Sequence, residues 1–199
     1  MPEGTSARDD ILASVRRALQ HADRAEVTVP RGYRDTPDVD LDLFVERVAD
    51  YRAEVVRCSA DEVEARIAES LPPDARVVVP DGLPWRVPGA VTDDGLSAVE
   101  LDALDAVVTG ATLGIASTGT IVLAHGPAEG RRALSLVPDL HVCVVRADQV
   151  VADVPDAVAL LDPNRPTTWV SGPSATSDIE LDRVEGVHGP RTLRVVVVG

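Results

Sequence analysis

The chain has 199 residues, enough for one sizeable domain, and 45% of them are hydrophobic while 3% are aromatic. Its net charge of −14 argues against nucleic-acid binding and against adsorption to an anionic membrane surface. Every basic residue is arginine, which excludes a Schiff-base lysine, a pyridoxal-phosphate anchor and a Walker-type phosphate-binding lysine. The first residues lack the pattern of a secretory signal and no apolar run is long enough to span a membrane, so we expect a cytoplasmic protein.

The N-terminal residues predict a helix followed by a linker. Apolar side chains recur at helical spacing over residues 6–22. The stretch 23–37 mixes charges with proline and glycine, which is typical of a linker. We therefore divide the chain into an N-terminal segment, 1–37, and a domain, 38–199.

Helical and strand patterns alternate in the first part of the domain. A helix is predicted over 40–52 and a strand over 54–58, after which a Ser-x-x-Glu capping box at 59–62 opens a third helix. A strand follows at 76–79, and the Gly- and Pro-rich stretch 81–95 predicts a loop. This alternation is typical of an α/β sheet with helices packed on its faces.

Shorter elements are predicted in the second half of the domain. They are strands near 98–101, 106–109 and 120–124, a short helix at 131–136, a strand at 141–145, a helix at 155–160, and strands at 167–171 and 193–198. The last strand is a near-continuous valine run, which is expected of a strand covered on both faces. The fold class predicted is α/β, with three layers: a mostly parallel sheet with helices on both faces, preceded by the N-terminal helical segment.

Candidate ligand-binding residues lie where predicted strands begin or end. Ligands of open α/β sheets bind outside the carboxyl ends of the strands. The stretch 114–120, with Thr118, Gly119 and Thr120, could offer backbone N–H groups to a carboxylate or phosphate. A tight turn before a buried strand is the structural alternative.

A second candidate stretch follows the strand predicted at 167–171. Its candidate ligand-binding residues are Ser171, Gly172, Ser174 and Thr176. Two carboxylates come next, and Asp178 could cap a short helix. Alternatively, Asp178 and Glu180 could act on a ligand, one as a base and the other as the group that orients it.

Histidine and arginine supply the remaining candidates. His188 lies in the Gly- and Pro-rich stretch 186–190 and is the natural candidate for proton transfer, although a structural or solvated histidine is the alternative. His125 is a weaker candidate, and His141 is expected to pack in its strand. Arg131 could hold a substrate carboxylate bidentately, or it could be solvated at the surface.

Two cysteines, Cys58 and Cys143, lie far apart in strand-like runs, where buried free thiols are common. They cannot supply the four ligands usual for an iron–sulfur cluster. The sequence also contains no tetrahedral zinc motif and no G-x-G-x-x-G fingerprint for a flavin or nicotinamide cofactor. We expect neither a metal nor a cofactor in this chain.

Several of these stretches together resemble a known family. The run 172–180, followed by 186–190, resembles the C-terminal signature of the LUD-domain (DUF162) family. The stretch 114–120 resembles the central motif of that family, and 136–141 resembles a further segment. The resemblance covers about residues 100–199 and implies the fold of the NagB/RpiA/CoA-transferase group.

The resemblance also implies a function. Members of this family take part in oxidising L-lactate to pyruvate together with iron–sulfur proteins of lactate utilization, and this chain would be the cluster-free subunit that binds substrate or scaffolds its partners. A small carboxylate or phosphorylated ligand would fit that role. Two alternatives stay open: a stand-alone CoA-transferase- or isomerase-like enzyme with Glu180 as nucleophile, or a small-molecule-binding regulator. In each case we expect the loops carrying Thr118, Ser174 and His188 to converge on a common pocket.

Overall fold

The computed structural model describes residues 6–23, 29, 38–173 and 189–199, together with the backbone of 175–176 and 184–185. The chain divides into two compact units, Met1–Asp35 and Thr36–Gly199. The first unit contains helix α1, Ala7–Ala18, whose N-cap Ser6 accepts a hydrogen bond from the backbone N–H of Asp9. The predicted N-terminal helix is therefore confirmed, and none of its side chains is buried. Most of the predicted linker, 23–37, lies outside the described residues.

The described part of the second unit contains four α-helices and two short 3-10 helices. The α-helices are α2 (Leu41–Asp50), α3 (Val63–Glu69), α4 (Ala98–Asp102) and α5 (Val154–Leu160), and the 3-10 helices are Arg132–Ser135 and Ala147–Gln149. Helix α2 was predicted from its apolar stripe, and it buries Phe44 and Val48. Of the helices described, none is long and apolar enough to cross a membrane.

The strands fall into three sheets. They are β1 (Glu54–Cys58), β2 (Val77–Val79), β3 (Val91–Thr92), β4 (Ala106–Thr109), β5 (Leu113–Ile115), β6 (Thr120–Leu123), β7 (Leu140–Arg146), β8 (Val150–Val151), β9 (Thr168–Val170), β10 (Ala175–Thr176), β11 (Val184–Glu185) and β12 (Thr192–Val198). Within the described residues, six strands form one parallel sheet in the order β1-β12-β7-β4-β2-β3. The short strands β10 and β11 pair with each other, antiparallel.

The valine-rich strand β12 lies inside the parallel sheet, between β1 and β7, and is buried on both faces as predicted. Val63 and Ile67 of α3 pack on one face of this sheet. Phe44 and Val48 of α2 pack on the other face, beside Ile121 of β6. The fold is thus α/β, with a parallel central sheet between layers that contain helices.

A second sheet, absent from the sequence-based prediction, lies on the α2 side of the first. Its order is β8-β5-β6-β9, with β5–β6 and β6–β9 antiparallel and β5–β8 parallel. Side chains of β6 pack against β7 and β12, and α5 covers the opposite face of this second sheet through Ala157. Strand β9 forms one edge of the second sheet.

Three local predictions were wrong. Residues 98–101 form α4 rather than a strand, because Ser97 and Glu100 make a complete capping box in which each side chain accepts the backbone N–H of the other residue. The capping box predicted at 59–62 is only half formed: Glu62 accepts the backbone N–H of Ser59, but the Ser59 hydroxyl donates to Glu62 and α3 begins at Val63. The loop predicted over 81–95 contains β3, which pairs with β2.

Candidate functional site

A cleft of about 330 Å³ lies between the edge strand β9 and the first residues of β7 and β12. Its lining includes Ser135, His141, Thr168 and Ser171, and Trp169, whose indole N–H donates to Thr167 Oγ1. Among the described lining residues none carries a formal charge. The cleft flanks the amino ends of β7 and β12, and not the carboxyl ends of the strands as the sequence argument assumed.

Three hydroxyl groups that the sequence proposed as ligand-binding residues form a chain beside this cleft. The Oγ1 atoms of Thr118 and Thr120 are 2.7 Å apart, and Thr120 Oγ1 is 2.9 Å from Ser171 Oγ. Thr120 is buried, whereas Ser171 is exposed and lines the cleft. If each hydroxyl donates to the next, the proton of Ser171 is left for a ligand, and bonds in such a chain strengthen one another.

Helix α2 supports both loops that carry these hydroxyl groups. Gly119 has φ of +60°, and a Cβ atom there would lie 2.5 Å from the backbone carbon of Arg47 in α2. Gly172 has φ of +79°, and its Cβ would lie 2.5 Å from Cβ of Tyr51, the C-cap of α2. Glycine is required at both positions by the backbone conformation and by close packing. Their predicted contact with a ligand stays a prediction.

Beneath the cleft, His141 forms a buried hydrogen-bonded pair with Thr109 of β4. The side chain of His141 is 1% exposed, and its Nε2 atom is 2.8 Å from Thr109 Oγ1. Thr109 Oγ1 also donates to the carbonyl oxygen of Gly110 at 2.8 Å. A hydroxyl has one proton to donate, so both bonds form together when His141 carries its proton on Nε2. Nδ1 is then an acceptor, and it has no hydrogen-bond partner among the residues that the structure describes.

Burial keeps His141 neutral. Desolvation lowers the pKa of its imidazole to about 4, because the interior disfavours the charged form. His141 therefore presents to the cleft a neutral ring rather than a cation.

A second histidine supports the opposite wall. His125 Nδ1 is 3.2 Å from the carbonyl oxygen of Gly130, and Nε2 is 3.0 Å from Thr168 Oγ1. In a neutral ring Nδ1 then carries the proton, because a carbonyl can only accept, and Nε2 accepts from Thr168. Thr168 is thus left with acceptor lone pairs beside the cleft.

The two cysteine thiols are buried, and burial favours their neutral form. Burial raises the pKa of the Cys143 thiol to about 12, and it raises the pKa of Cys58 as well. Both thiols are free and buried. Across the part of the chain that the structure describes, no group of three His, Cys, Asp or Glu side chains lies close enough together to hold a metal ion.

Arg131, another predicted ligand-binding residue, does not line this cleft. Its Nε atom donates to Asp93 Oδ2 at 2.7 Å and its guanidinium donates a second hydrogen bond to Oδ1 at 2.9 Å. This bidentate pair holds the pKa of Asp93 below its usual range. Arg131 lines a separate cavity with Pro80 and Gly82.

The remaining predicted site residues are Ser174, Asp178, Glu180 and His188, which lie outside the described residues, and Thr176, of which only the backbone is described, in β10. The convergence expected of Thr118, Ser174 and His188 therefore stays a prediction. Pro173 and Gly189, next in sequence to Ser174 and His188, both line the cleft.

Comparison with known proteins identifies the family. The LUD domain matches residues 97–198. The chain belongs to the LUD-domain family. It is 45% identical over 212 residues to lactate utilization protein C of Deinococcus radiodurans, covering 100% of this chain and 99% of that protein.

Other relatives align with part of the chain. An uncharacterized protein of Neisseria meningitidis is 40% identical over 100 residues, covering 48% of this chain and 42% of that protein. Lactate utilization protein C of Bacillus subtilis is 29% identical over 99 residues, covering 46% of this chain and 41% of that protein. A crystal structure of a DUF162 family protein from Deinococcus radiodurans has a TM-score of 0.69 and 44% identity, covering 80% of this chain and 96% of that one.

Several residues at the cleft of this LUD domain are not apparent from the sequence. His141 was expected to pack in its strand, and Thr109, Ser135 and Thr168 were not among the predicted site residues. One signal was present: His141 and Thr109 are polar residues in strands whose other buried residues are apolar. Their contact depends on the pairing of β4 with β7, which sets Val107 opposite His141.

Proposed function

We propose that this LUD-domain protein acts in lactate utilization, as the cluster-free subunit of an L-lactate-oxidising iron–sulfur complex. The observation that carries the proposal is the match, over essentially the full length of both chains, to a protein named lactate utilization protein C. The two cysteines, both buried, leave any cluster to partner proteins. The cytoplasmic location expected from the sequence stays a prediction.

The cleft supports a substrate-binding role. Its volume of about 330 Å³ is at the low end for ligand sites, which suits a molecule as small as lactate or pyruvate. Ser171, at the end of the hydroxyl chain, can donate its proton to a carboxylate oxygen. We propose that the carboxylate of the acid binds at Ser171.

The predicted catalytic residues fit this arrangement by their position in the chain. Asp178, Glu180 and His188 belong to the segment that leaves the cleft wall at Pro173 and returns to it at Gly189. We retain His188 as the proposed proton-transfer group, with one of Asp178 and Glu180 as a proposed base and the other as the group that orients it.

The described residues of the cleft do not favour the two alternative functions, a stand-alone enzyme and a small-molecule-binding regulator. A CoA-transferase needs a carboxylate nucleophile, and no described residue of the cleft supplies one. A stand-alone enzyme or a regulator would function without iron–sulfur partners. Association with such partners therefore separates these alternatives from the proposal.

The proposal is tested by deleting this chain from a strain that otherwise grows with L-lactate as its carbon source. We expect no growth on L-lactate without the chain, and recovery with the wild-type protein. The Ser171→Ala variant should restore growth poorly, whereas Ser59→Ala, at an exposed serine away from the cleft, should restore it fully. The wild-type chain, affinity-tagged, should co-purify with iron–sulfur proteins. Normal growth on L-lactate without the chain would refute the proposal.

A further inference from the structure

The geometry points to His141 as the residue that recognises the hydroxyl group of the ligand in the cleft, so that the site selects a 2-hydroxy acid over the corresponding 2-oxo acid. This inference rests on the proposed function and adds to it the residue and the atom that set the preference. It requires that Nδ1 of the buried imidazole accepts a hydrogen bond from the ligand.

The direction of the hydrogen bonds around Thr109 sets the state of the ring. Besides His141, two acceptors lie near Thr109 Oγ1: the Gly110 carbonyl oxygen at 2.8 Å and Cys143 Sγ at 3.8 Å. We assign the single Thr109 proton to the shorter bond, to Gly110. His141 Nε2 then donates to Thr109 Oγ1, and Nδ1 keeps its lone pair. Thr109 is in this sense a positioning residue, since it fixes the tautomer without contacting the ligand.

The location of His141 makes this lone pair available to a ligand. His141 lines the cleft, and the Nε2 side of its ring is occupied by Thr109. Nδ1 is the ring nitrogen left to meet a ligand, and none of the described residues hydrogen-bonds to it. An acceptor that has no partner among the described residues and belongs to a residue lining the cleft favours a ligand that brings a donor.

The two acids of the proposed reaction differ in this respect. The 2-hydroxyl group of L-lactate donates a hydrogen bond, whereas the 2-oxo group of pyruvate only accepts. Placed against Nδ1, the oxo group would leave two acceptors facing each other with no proton between them. A site built to pair with a hydroxyl group rejects the analogue that lacks the donor.

The wall opposite His141 presents acceptors as well. When the His125 ring is neutral with its proton on Nδ1, Thr168 donates its proton to His125 Nε2 and its oxygen has only lone pairs to offer. Ser171 is the described lining side chain whose proton can be left free, through the chain from Thr118. Ser171 therefore suits the carboxylate, and His141 suits the hydroxyl group on the adjacent carbon.

The test measures binding of L-lactate and pyruvate to the full-length protein by calorimetry. We expect the wild-type protein to bind L-lactate at least about tenfold more tightly than pyruvate, the factor that one buried hydrogen bond supplies. His141→Gln keeps an amide N–H close to the position of Nε2 but removes the acceptor at Nδ1. It should weaken L-lactate binding about tenfold and leave pyruvate binding within about twofold.

Two further variants separate positioning from binding. His141→Asn keeps an amide oxygen near the position of Nδ1 and should bind L-lactate more tightly than His141→Gln. Thr109→Val, which preserves side-chain shape but frees Nε2, should lower the preference for L-lactate. Nitrogen-15 spectra of the wild-type imidazole should show Nε2 protonated and Nδ1 unprotonated, with Nδ1 shifting on addition of L-lactate but not of pyruvate.

The outcomes distinguish this inference from the proposed function. Equal affinity of the wild-type protein for the two acids, or L-lactate binding that His141→Gln leaves unchanged, would overturn the role of His141 and leave the lactate role standing. A protonated Nδ1 in the wild-type spectrum would overturn it as well, without the need for any variant. If the wild-type protein bound neither acid, both the inference and the substrate-binding form of the proposed function would fail.

Discussion

At the scale of single residues, the neutral state of His141 affects the pH dependence of stability. Burial lowers its pKa to about 4, whereas in the unfolded chain a histidine titrates near 6.5. Between these values the unfolded chain binds more protons than the folded protein, so stability rises with pH. The contribution of His141 is complete above pH 6.5 and is lost as the pH falls toward 4. Over this window it amounts to roughly 3 kcal/mol.

We therefore predict that the unfolding free energy of the His141→Gln variant decreases less than that of the wild-type protein as the pH is lowered. Between pH 7 and pH 4.5, the unfolding free energy of the wild-type protein should fall by roughly 2 kcal/mol more than that of the variant. Urea denaturation at both pH values measures the difference. His21→Gln, at an exposed position, is the matched control and should behave as wild type. An equal loss in wild type and His141→Gln would contradict the buried neutral state.

A second residue-scale prediction concerns Gly119, whose turn carries Thr118 and Thr120. Gly119→Ala should destabilise the protein by about 2 kcal/mol or more, because φ is +60° and the added Cβ would meet the backbone of Arg47 and Val48 within 2.6 Å. Thermal or urea unfolding measures the loss. In Gly126→Ala an added Cβ meets nothing within 4 Å, so this control should lose much less. Equal losses of stability in the two variants would show that close packing on α2 is not what requires glycine at position 119.

At the scale of elements, α4 depends on its N-terminal cap. Ser97→Ala removes the hydroxyl group that accepts the Glu100 N–H and should cost about 1 kcal/mol of unfolding free energy. Ser59→Ala is a matched control, since the Ser59 hydroxyl donates to Glu62 and caps no backbone N–H of α3. It should cost less than about 0.5 kcal/mol. If both variants lost the same stability, the complete capping box would contribute no more to the unfolding free energy than the half-formed one.

The elements with strong periodicity were predictable from the sequence. Helices α1 and α2 have clear apolar stripes, and β12 is a long valine run, so a local pattern is sufficient. The second sheet was missed because β5 and β8 have only three and two residues, too few for alternation to show. Strands β6 and β9 were predicted, but no local pattern indicates that they pair with each other. Helix α4 was predicted as a strand although its capping box, Ser97 to Glu100, is visible in the sequence.

The residues of the candidate site were also predictable only in part. Hydroxyl-rich turns are a local signal, and the sequence alone selected Thr118, Thr120 and Ser171, which the structure brings together. His141 was not selected because a histidine among valines is typical of a buried strand. Its significance comes from Thr109, 32 positions away, and only the pairing of β4 with β7 brings the two together. Such contacts between distant residues have no local signal.

At the scale of the whole second unit, the cleft arises from two sheets that face each other. The parallel sheet supplies His141 and Leu193, and the edge strand of the second sheet supplies Thr168 and Trp169. The LUD domain matches residues 97–198, and that range includes all four of these lining residues. A site between the sheets explains why an argument from the carboxyl ends of parallel strands did not locate it.

A crystal structure of the protein with L-lactate would test the central claim, that this cleft binds the small acid. We predict L-lactate in the cleft, with its carboxylate within hydrogen-bond distance of Ser171 Oγ and its hydroxyl group within hydrogen-bond distance of His141 Nδ1. L-lactate bound elsewhere on the protein, with the cleft left empty at a saturating concentration, would contradict the account.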